Sequence, residues 1–229
     1  MIGISYVIKI RDDRINDTQW MGGTMKFNIN GSFFQFMNAL AEFILLNIVF
    51  IICCLPIVTI GPALSALYGV TIQEAKQEHG YVIKKFFKIF KESFLKSLLV
   101  SIIFFTLGFV VLFNLFFWGS LGTIFANFVF LLMTLLALIL TIMIIYAFPL
   151  MARYENTLKN TLKNSFGIAM ENRGYTLALL GIHGVTVGLC FFLSQMRIFM
   201  IFIGFAFIAY CNSFLFQRVF EKYERKQMN

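Results

Sequence analysis

Hydrophobic residues collect in five long runs, separated by short polar stretches that carry most of the lysine and arginine. The runs extend from Phe36 to Ile57, Leu95 to Trp118, Leu121 to Pro149, Leu177 to Leu193 and Ile198 to Phe216. Each comes near the roughly 20 apolar residues that a helix needs to cross hydrocarbon. The pattern predicts an all-α fold: a polytopic transmembrane helical bundle of about five spans. The third run is long enough to span with tilt or to project beyond the bilayer. Trp118 and Tyr175 stand at predicted span ends, where amphipathic rings favour the headgroup layer.

The first run ends in a break. Residues 53–63, Cys-Cys-Leu-Pro-Ile-Val-Thr-Ile-Gly-Pro-Ala, hold two of the three prolines of the chain. Proline removes a backbone donor and clashes with the preceding helical turn, so Pro56 and Pro62 interrupt an otherwise helix-forming segment. Gly61-Pro62 then reads as a helix start, with Thr59 or Gly61 near the cap and Pro62 at the first helical position. The helix to about Glu78 begins apolar, through Leu64, Leu67, Tyr68 and Ile72, and ends polar, descending from the membrane to the cytoplasmic face. Broken helices near a bilayer either line a solute site or merely turn the chain at the interface, and both readings stand for this one.

Gly80 ends that helix, and Tyr81 to Lys96 forms a more sharply two-faced one. Ile83, Phe86, Phe87, Phe90 and Phe94 share one arc at the helical period, and Lys84, Lys85, Lys88 and Lys91 share the opposite one. Such a helix lies in the cytoplasmic interface with its lysines over anionic lipid headgroups, or else seats a cytoplasmic partner. The connection from Arg153 to Arg173 repeats the pattern loosely, with Tyr154, Leu158, Leu162 and Phe166 four apart. The sequence therefore predicts two amphipathic cytoplasmic interfacial helices beside the spans.

Composition agrees with a membrane chain: 59% of residues are hydrophobic and only 13% charged, against roughly 45–50% and 25% in soluble domains. Such excess apolar surface has to face lipid. The formal charge of +8 matters through its placement. Basic residues crowd the connections between spans one and two and between spans three and four, and the C-terminal tail, while the turns near Gly119 and Arg197 carry almost none. By the positive-inside rule this is a multi-pass cell-membrane protein with its C-terminus cytoplasmic and, for five spans, its N-terminus outside. Lys9, Arg11 and Arg14 in the polar tail of residues 1–24 oppose that orientation. A native start at Met25, leaving residues 25–229 as one membrane domain, removes the conflict. So does an extra re-entrant or crossing element over Ile57 to Ile72. No polar fold is available to present a groove-reading element, so no nucleic-acid partner is expected.

Candidate chemistry is sparse. Glu42 and Asn47 in the first span, Asn127 in the third and His183 in the fourth are the intramembrane polar candidates, because ionisable and amide groups in hydrocarbon are costly and often functional. Asn127, Thr134 and Thr141 recur every seven residues, a weakly polar stripe that interhelical hydrogen bonds explain. Cys53, Cys54, Cys190 and Cys211 all lie in apolar segments without a Cys-x-x-Cys pair and read as small hydrophobes. The chain shows no phosphate-cradling loop, no metal-ligand spacing and no nucleophile beside a base, so neither an enzyme nor a bound metal or cofactor is expected.

Leu46-Asn47 through Leu55-Pro56, then Thr59-Ile60-Gly61-Pro62-Ala63 and Ala66-Leu67-Tyr68, resemble the YesL family of bacterial integral membrane proteins, whose activity is uncharacterised. The resemblance begins near Met25, and its specific part is the break motif with Pro56, Thr59, Gly61 and Pro62. It implies an accessory or regulatory role in carbohydrate uptake, with a sugar ABC permease or its ATPase as partner. Glu74-Ala75 with Gly80 six residues after the glutamate also resembles, faintly, the coupling loop of ABC importer permeases, although Lys76 stands where a small residue is usual. The alternative is an independent small-solute transporter or channel using Glu42, Asn47 and His183. The sequence does not define an oligomeric state.

Overall fold

The structure, a computed structural model, describes residues 32–76 and 81–228. The polar tail with its basic residues, the start at Met25 and the helix end at Gly80 lie outside the described residues. Eight α-helices are present among those described: α1 Ser32–Cys54, α2 Ile60–Ala75, α3 Val82–Gly119, α4 Ile124–Arg153, α5 Leu158–Glu171, α6 Arg173–Phe192, α7 Ser194–Phe199 and α8 Phe205–Met228. A 3-10 turn, Ile57–Thr59, precedes α2, and a π-helical turn, Met200–Gly204, joins α7 to α8. The all-α bundle is as expected, without a β-strand among the described residues.

Among the described residues, four helices are long and apolar enough to cross a membrane: α3, α4, α6 and the combined stretch Ser194–Arg225. The first apolar run lies in α1, a helix of 23 residues. Helix senses follow from side-chain pairs. α3 and α4 form a hairpin through Gly122, whose φ of 63° is a conformation that favours glycine. α4 and α8 run in parallel, since Tyr146 meets Phe216, Tyr154 meets Phe220 and Arg153 meets Glu224. α2 runs against α3, with Gly61 on Ser97 and Ser101, Ser65 on Ser97 and Gly69 on Ile89.

α1 meets the start of α8 in reverse order, Phe43 on Tyr210 and Phe50 on Phe205. In five alternating spans the first and the last run in the same sense, and these two oppose each other. The break at Pro56 reverses the chain, so α1 and α2 form an antiparallel pair whose open end faces the C-terminal end of α8. Gly61 lies beside Ser101, 18 residues and so about 27 Å short of the far end of α3 at 1.5 Å per residue. The tip of this pair therefore stops inside the bundle.

The core is centred on α2, not on the spans. Every residue of α2 from Gly61 to Ile72 except Leu64 is buried. Around it are buried Val82 to Phe104 on one face of α3, Ile142 to Ala152 of α4, Thr176 and Leu179 of α6, and Ala206 to Tyr223 on one face of α8. The opposite halves of the spans keep large apolar side chains on the surface, as with Phe109, Phe116, Ile124 and Phe191, which is the surface a bilayer covers.

Two sequence expectations change. The basic helix is not a separate interfacial element: it is the first third of α3, one unbroken helix of 38 residues, about 57 Å long. No glycine or proline lies between Val82 and Leu107 to end it. The buried line is Val82, Phe86, Ile89, Ser93 and Ser97, while Phe87 and Ile83 are exposed, because α2 and α4 take a face offset from the phenylalanine arc. α5 is a separate helix, yet its buried face is Thr161, Asn164, Ser165, Ile168 and Ala169, with Leu158 and Leu162 partly buried beside it, and Phe166 is exposed. α4 also continues through Pro149 to Arg153.

Candidate functional site

The break is closed locally. Leu55 N–H donates to the Ile52 carbonyl and Thr59 N–H to the Pro56 carbonyl. The Thr59 hydroxyl lies 2.6 Å from the Cys53 carbonyl and 2.7 Å from that of Pro56. Carbonyls freed by Pro56 are thereby satisfied without a ligand. Thr59 occupies the N-cap of α2, but its side chain turns back to α1 and does not cap. Pro62 is the third helical residue, where a missing N–H costs nothing because first-turn donors lack intrahelical partners. Leu55, Pro56, Ile57 and Val58 are exposed, whereas Gly61 and Pro62 are buried.

Beyond the break, α2 and α3 meet along a seam of small residues that sequence reading missed. Gly61, Ser65 and Gly69 recur every four residues on α2, and Ser93, Ser97 and Ser101 do the same on α3. The Ser65 and Ser97 hydroxyls lie 2.8 Å apart. A Cβ at Gly61 overlaps Ser101 Oγ and comes 2.8 Å from the Ser97 carbonyl. This is close helix approach through small-xxx-small spacing, the packing device that serves where hydrophobic burial gives no drive. The usable signal was period four on both sides of one connection.

The intramembrane candidates are not gathered together. Asn47 is wholly buried and engages the π-helical turn: its Nδ2 donates to the carbonyls of Met200, at 3.1 Å, and Ile201, at 2.7 Å, and its Oδ1 accepts from Ala206 N–H at 3.0 Å. A π turn widens the helix and misaligns its ladder, and Asn47 supplies the missing partners. His183 Nδ1 lies 2.8 Å from the Leu179 carbonyl of its own helix. Thr134 and Thr141 likewise donate within α4, to Phe130 and Ala137, and face outward with Asn127 instead of bonding between helices. Glu42 sits on the exposed flank of α1. The four cysteines are half-buried and free.

The end of the bundle where α4 passes into α5 carries the strongest polar chemistry. Arg153 Nη2 and Nε each lie 2.7 Å from Glu224 Oε1, and the Tyr154 hydroxyl donates to the same oxygen at 2.8 Å. Burial pushes the Tyr154 phenol well above its ordinary range, so it stays a donor. Tyr223 donates to Glu171 at 2.8 Å and accepts from Asn172 at 2.7 Å, and Lys222 closes the group on Glu171 and Asn172. These contacts fasten the end of α8 to α4, α5 and α6. Across the bundle, Lys85 pairs with Glu74 at 3.4 Å, tying the end of α2 to the start of α3.

Lys85 is thus turned inward, and Lys84, Lys88 and Lys91 remain exposed. They continue in line with Leu95, Leu99 and Ile102, also exposed. One side of α3 therefore passes from lysine to leucine within four residues. No group of three or more His, Cys, Asp or Glu side chains suited to a metal occurs among the described residues.

A family profile described as "Protein of unknown function, DUF624" matches residues 43–115. The matched stretch runs from within α1 through the break, α2 and most of α3, so it takes in both sides of the small-residue seam. No curated protein and no solved structure matches the chain.

Proposed function

We propose that this protein is a non-enzymatic integral membrane component that holds a cytoplasmic partner against the membrane, an ABC-type carbohydrate importer or its ATPase. The observation that carries the reading is the start of α3. From Lys84 to Leu95 is 11 residues, about 16 Å of rigid helix, so this basic line begins about three turns before the exposed leucines of α3. Its inner side is fixed by the Glu74 pair and by α2, which leaves Lys84 and Lys88 directed outward on a preorganised support. Preorganised charge of one sign favours an acidic protein surface and speeds its capture. The resemblance to the YesL family supplies the carbohydrate side of the proposal.

The test is purification in mild detergent from cells growing on the sugar whose importer is suspected, with the importer ATPase followed by antibody. The expected result is co-purification, abolished by Lys84→Glu with Lys88→Glu. A photocrosslinker at position 88 in native membranes provides the opposing outcome: adducts with lipid alone overturn the proposal.

A further inference from the structure

The two flanks of α2 are built differently. Toward α3 it presents the small-residue seam, and toward α8 it presents Tyr68 and Thr71, which meet Asn212 and Ser213. Asn212 and Ser213 belong to the stretch Ser194–Arg225 that is long and apolar enough to cross a membrane. Asn212, Thr71 and Ser213 are wholly buried, and Tyr68 is 7% exposed. α2 and α8 run in the same sense, so Tyr68 with Asn212 forms one step of this contact and Thr71 with Ser213 the next, toward the polar end of α2. The Thr71 step is complete. Its Ser213 hydroxyl lies 2.8 Å from that of Thr71 and 2.7 Å from the Ala209 carbonyl, and Thr71 donates to the Leu67 carbonyl at 3.0 Å. The Tyr68 step is not. Asn212 Nδ2 reaches the Tyr68 hydroxyl oxygen only at 3.4 Å, Asn212 Oδ1 has no partner, and the Tyr68 hydroxyl hydrogen has no acceptor among the described residues. Turning the amide over lets Tyr68 donate to Oδ1 at the same long distance, and it moves both Nδ2 hydrogens away from the one hydrogen-bond partner that the amide has.

We infer that one water molecule lodges between α2 and α8, accepting from the Tyr68 hydroxyl and donating to Asn212 Oδ1. It supplies the acceptor that one group lacks and the donor that the other lacks, and two to four bonds of this kind hold a buried water in place. Both groups sit in the interior of the bundle, where leaving either one unmet is costly. The way in is marked by polar side chains. Thr71 and Ser213 come next along the contact, and α2 then turns polar at Gln73 and Glu74, both partly exposed. From Tyr68 to Glu74 is six residues, about 9 Å of helix. The element around which the spans pack is therefore set tightly against α3 by its glycines and joined to α8 through a hydrated contact.

The experiment is X-ray radiolytic footprinting of the full chain in nanodiscs, read residue by residue by mass spectrometry, with each rate normalised to that of the same residue in the unfolded chain. A water split in place oxidises the ring beside it. Tyr68 is expected to be modified severalfold faster than Phe104 and Phe148, two rings of similar burial at 5% exposure each, and faster than Tyr146, whose hydroxyl is paired with Thr176 at 3.0 Å. Asn212→Leu is expected to bring Tyr68 down to the rate of Phe148, because it removes the acceptor that holds the water and leaves the small exposure of the ring unchanged. Tyr68 labelling no faster than that of Phe148, or labelling that Asn212→Leu leaves as it was, overturns the inference. The comparison of rings within the native protein decides even where the variant fails to fold.

Discussion

Adding one methyl group separates a backbone contact from a side-chain contact in the α2 seam. In Gly61→Ala the new Cβ overlaps Ser101 Oγ, which can rotate, and meets the Ser97 carbonyl at 2.8 Å and Ser101 Cβ at 2.9 Å, which cannot. α3 must therefore withdraw from α2 by several tenths of an ångström, stretching the 2.8 Å contact between Ser65 and Ser97. In Gly69→Ala the obstacles are Ile89 Cδ1 at 2.7 Å and Cγ2 at 3.1 Å, the movable branches of one side chain, and Ala152 Cβ at a relaxed 3.4 Å. Both substitutions gain at most about 1 kcal/mol of helix propensity, so their difference isolates the steric cost. Overpacking that moves backbone costs about 1–3 kcal/mol, and Gly61→Ala is expected to be about 1–2 kcal/mol less stable than Gly69→Ala. Reversible unfolding of the purified protein in mixed micelles, followed by helical circular dichroism, measures both. Equal stabilities, or a less stable Gly69→Ala, refute the seam as the determinant of the α2 position.

Four further outcomes follow from the same contacts. Asn47→Leu removes three hydrogen bonds at the π turn, and at about 0.6 kcal/mol each it is expected to lose about 2 kcal/mol and to expose the Ala206 amide to hydrogen exchange; an unchanged exchange rate there contradicts the clamp. Arg153→Met leaves Glu224 without its ion-pair partner where both side chains are 16% exposed, and a loss of about 2 kcal/mol is expected; a double-mutant cycle with Glu224→Gln that shows no coupling removes the basis for it. The raised Tyr154 phenol binds its proton more tightly folded than unfolded, so its stability contribution is intact below pH about 10, the unfolded value, and falls above it by up to about 1.4 kcal/mol per pH unit. Tyr154→Phe is expected to flatten that alkaline decline, measured by melting in detergent between pH 8 and pH 11, and an unchanged slope rules the group out. Fluorescent-protein fusions to the two ends of the chain are expected to report the same side of the membrane, because α1 opposes α8 in sense; opposite sides count against the antiparallel pair.

Where each helix lies was legible in the sequence, and how the helices are joined and packed was not. A run of apolar residues reports its length and its lipid-solubility, so the spans ending near Trp118 and Leu193 end at Gly119 and Phe192. Such a run carries little rotational information, because lipid and protein neighbours accept the same side chains. The packing was written instead in the few small residues: Gly61, Ser65 and Gly69 facing Ser93, Ser97 and Ser101 lie on opposite sides of the 76–82 connection, and only their shared period of four links them. The π turn was illegible for a different reason, since it exists through a contact between Asn47 and residues more than 150 positions away. The break is the place where both kinds of information meet. Pro56 announces that the helix stops, but the direction taken afterwards depends on Gly61, the one residue small enough to let α2 lie against the Ser97 backbone. A chain with the same prolines and a bulky residue at position 61 would keep its apolar runs and lose the element around which they pack.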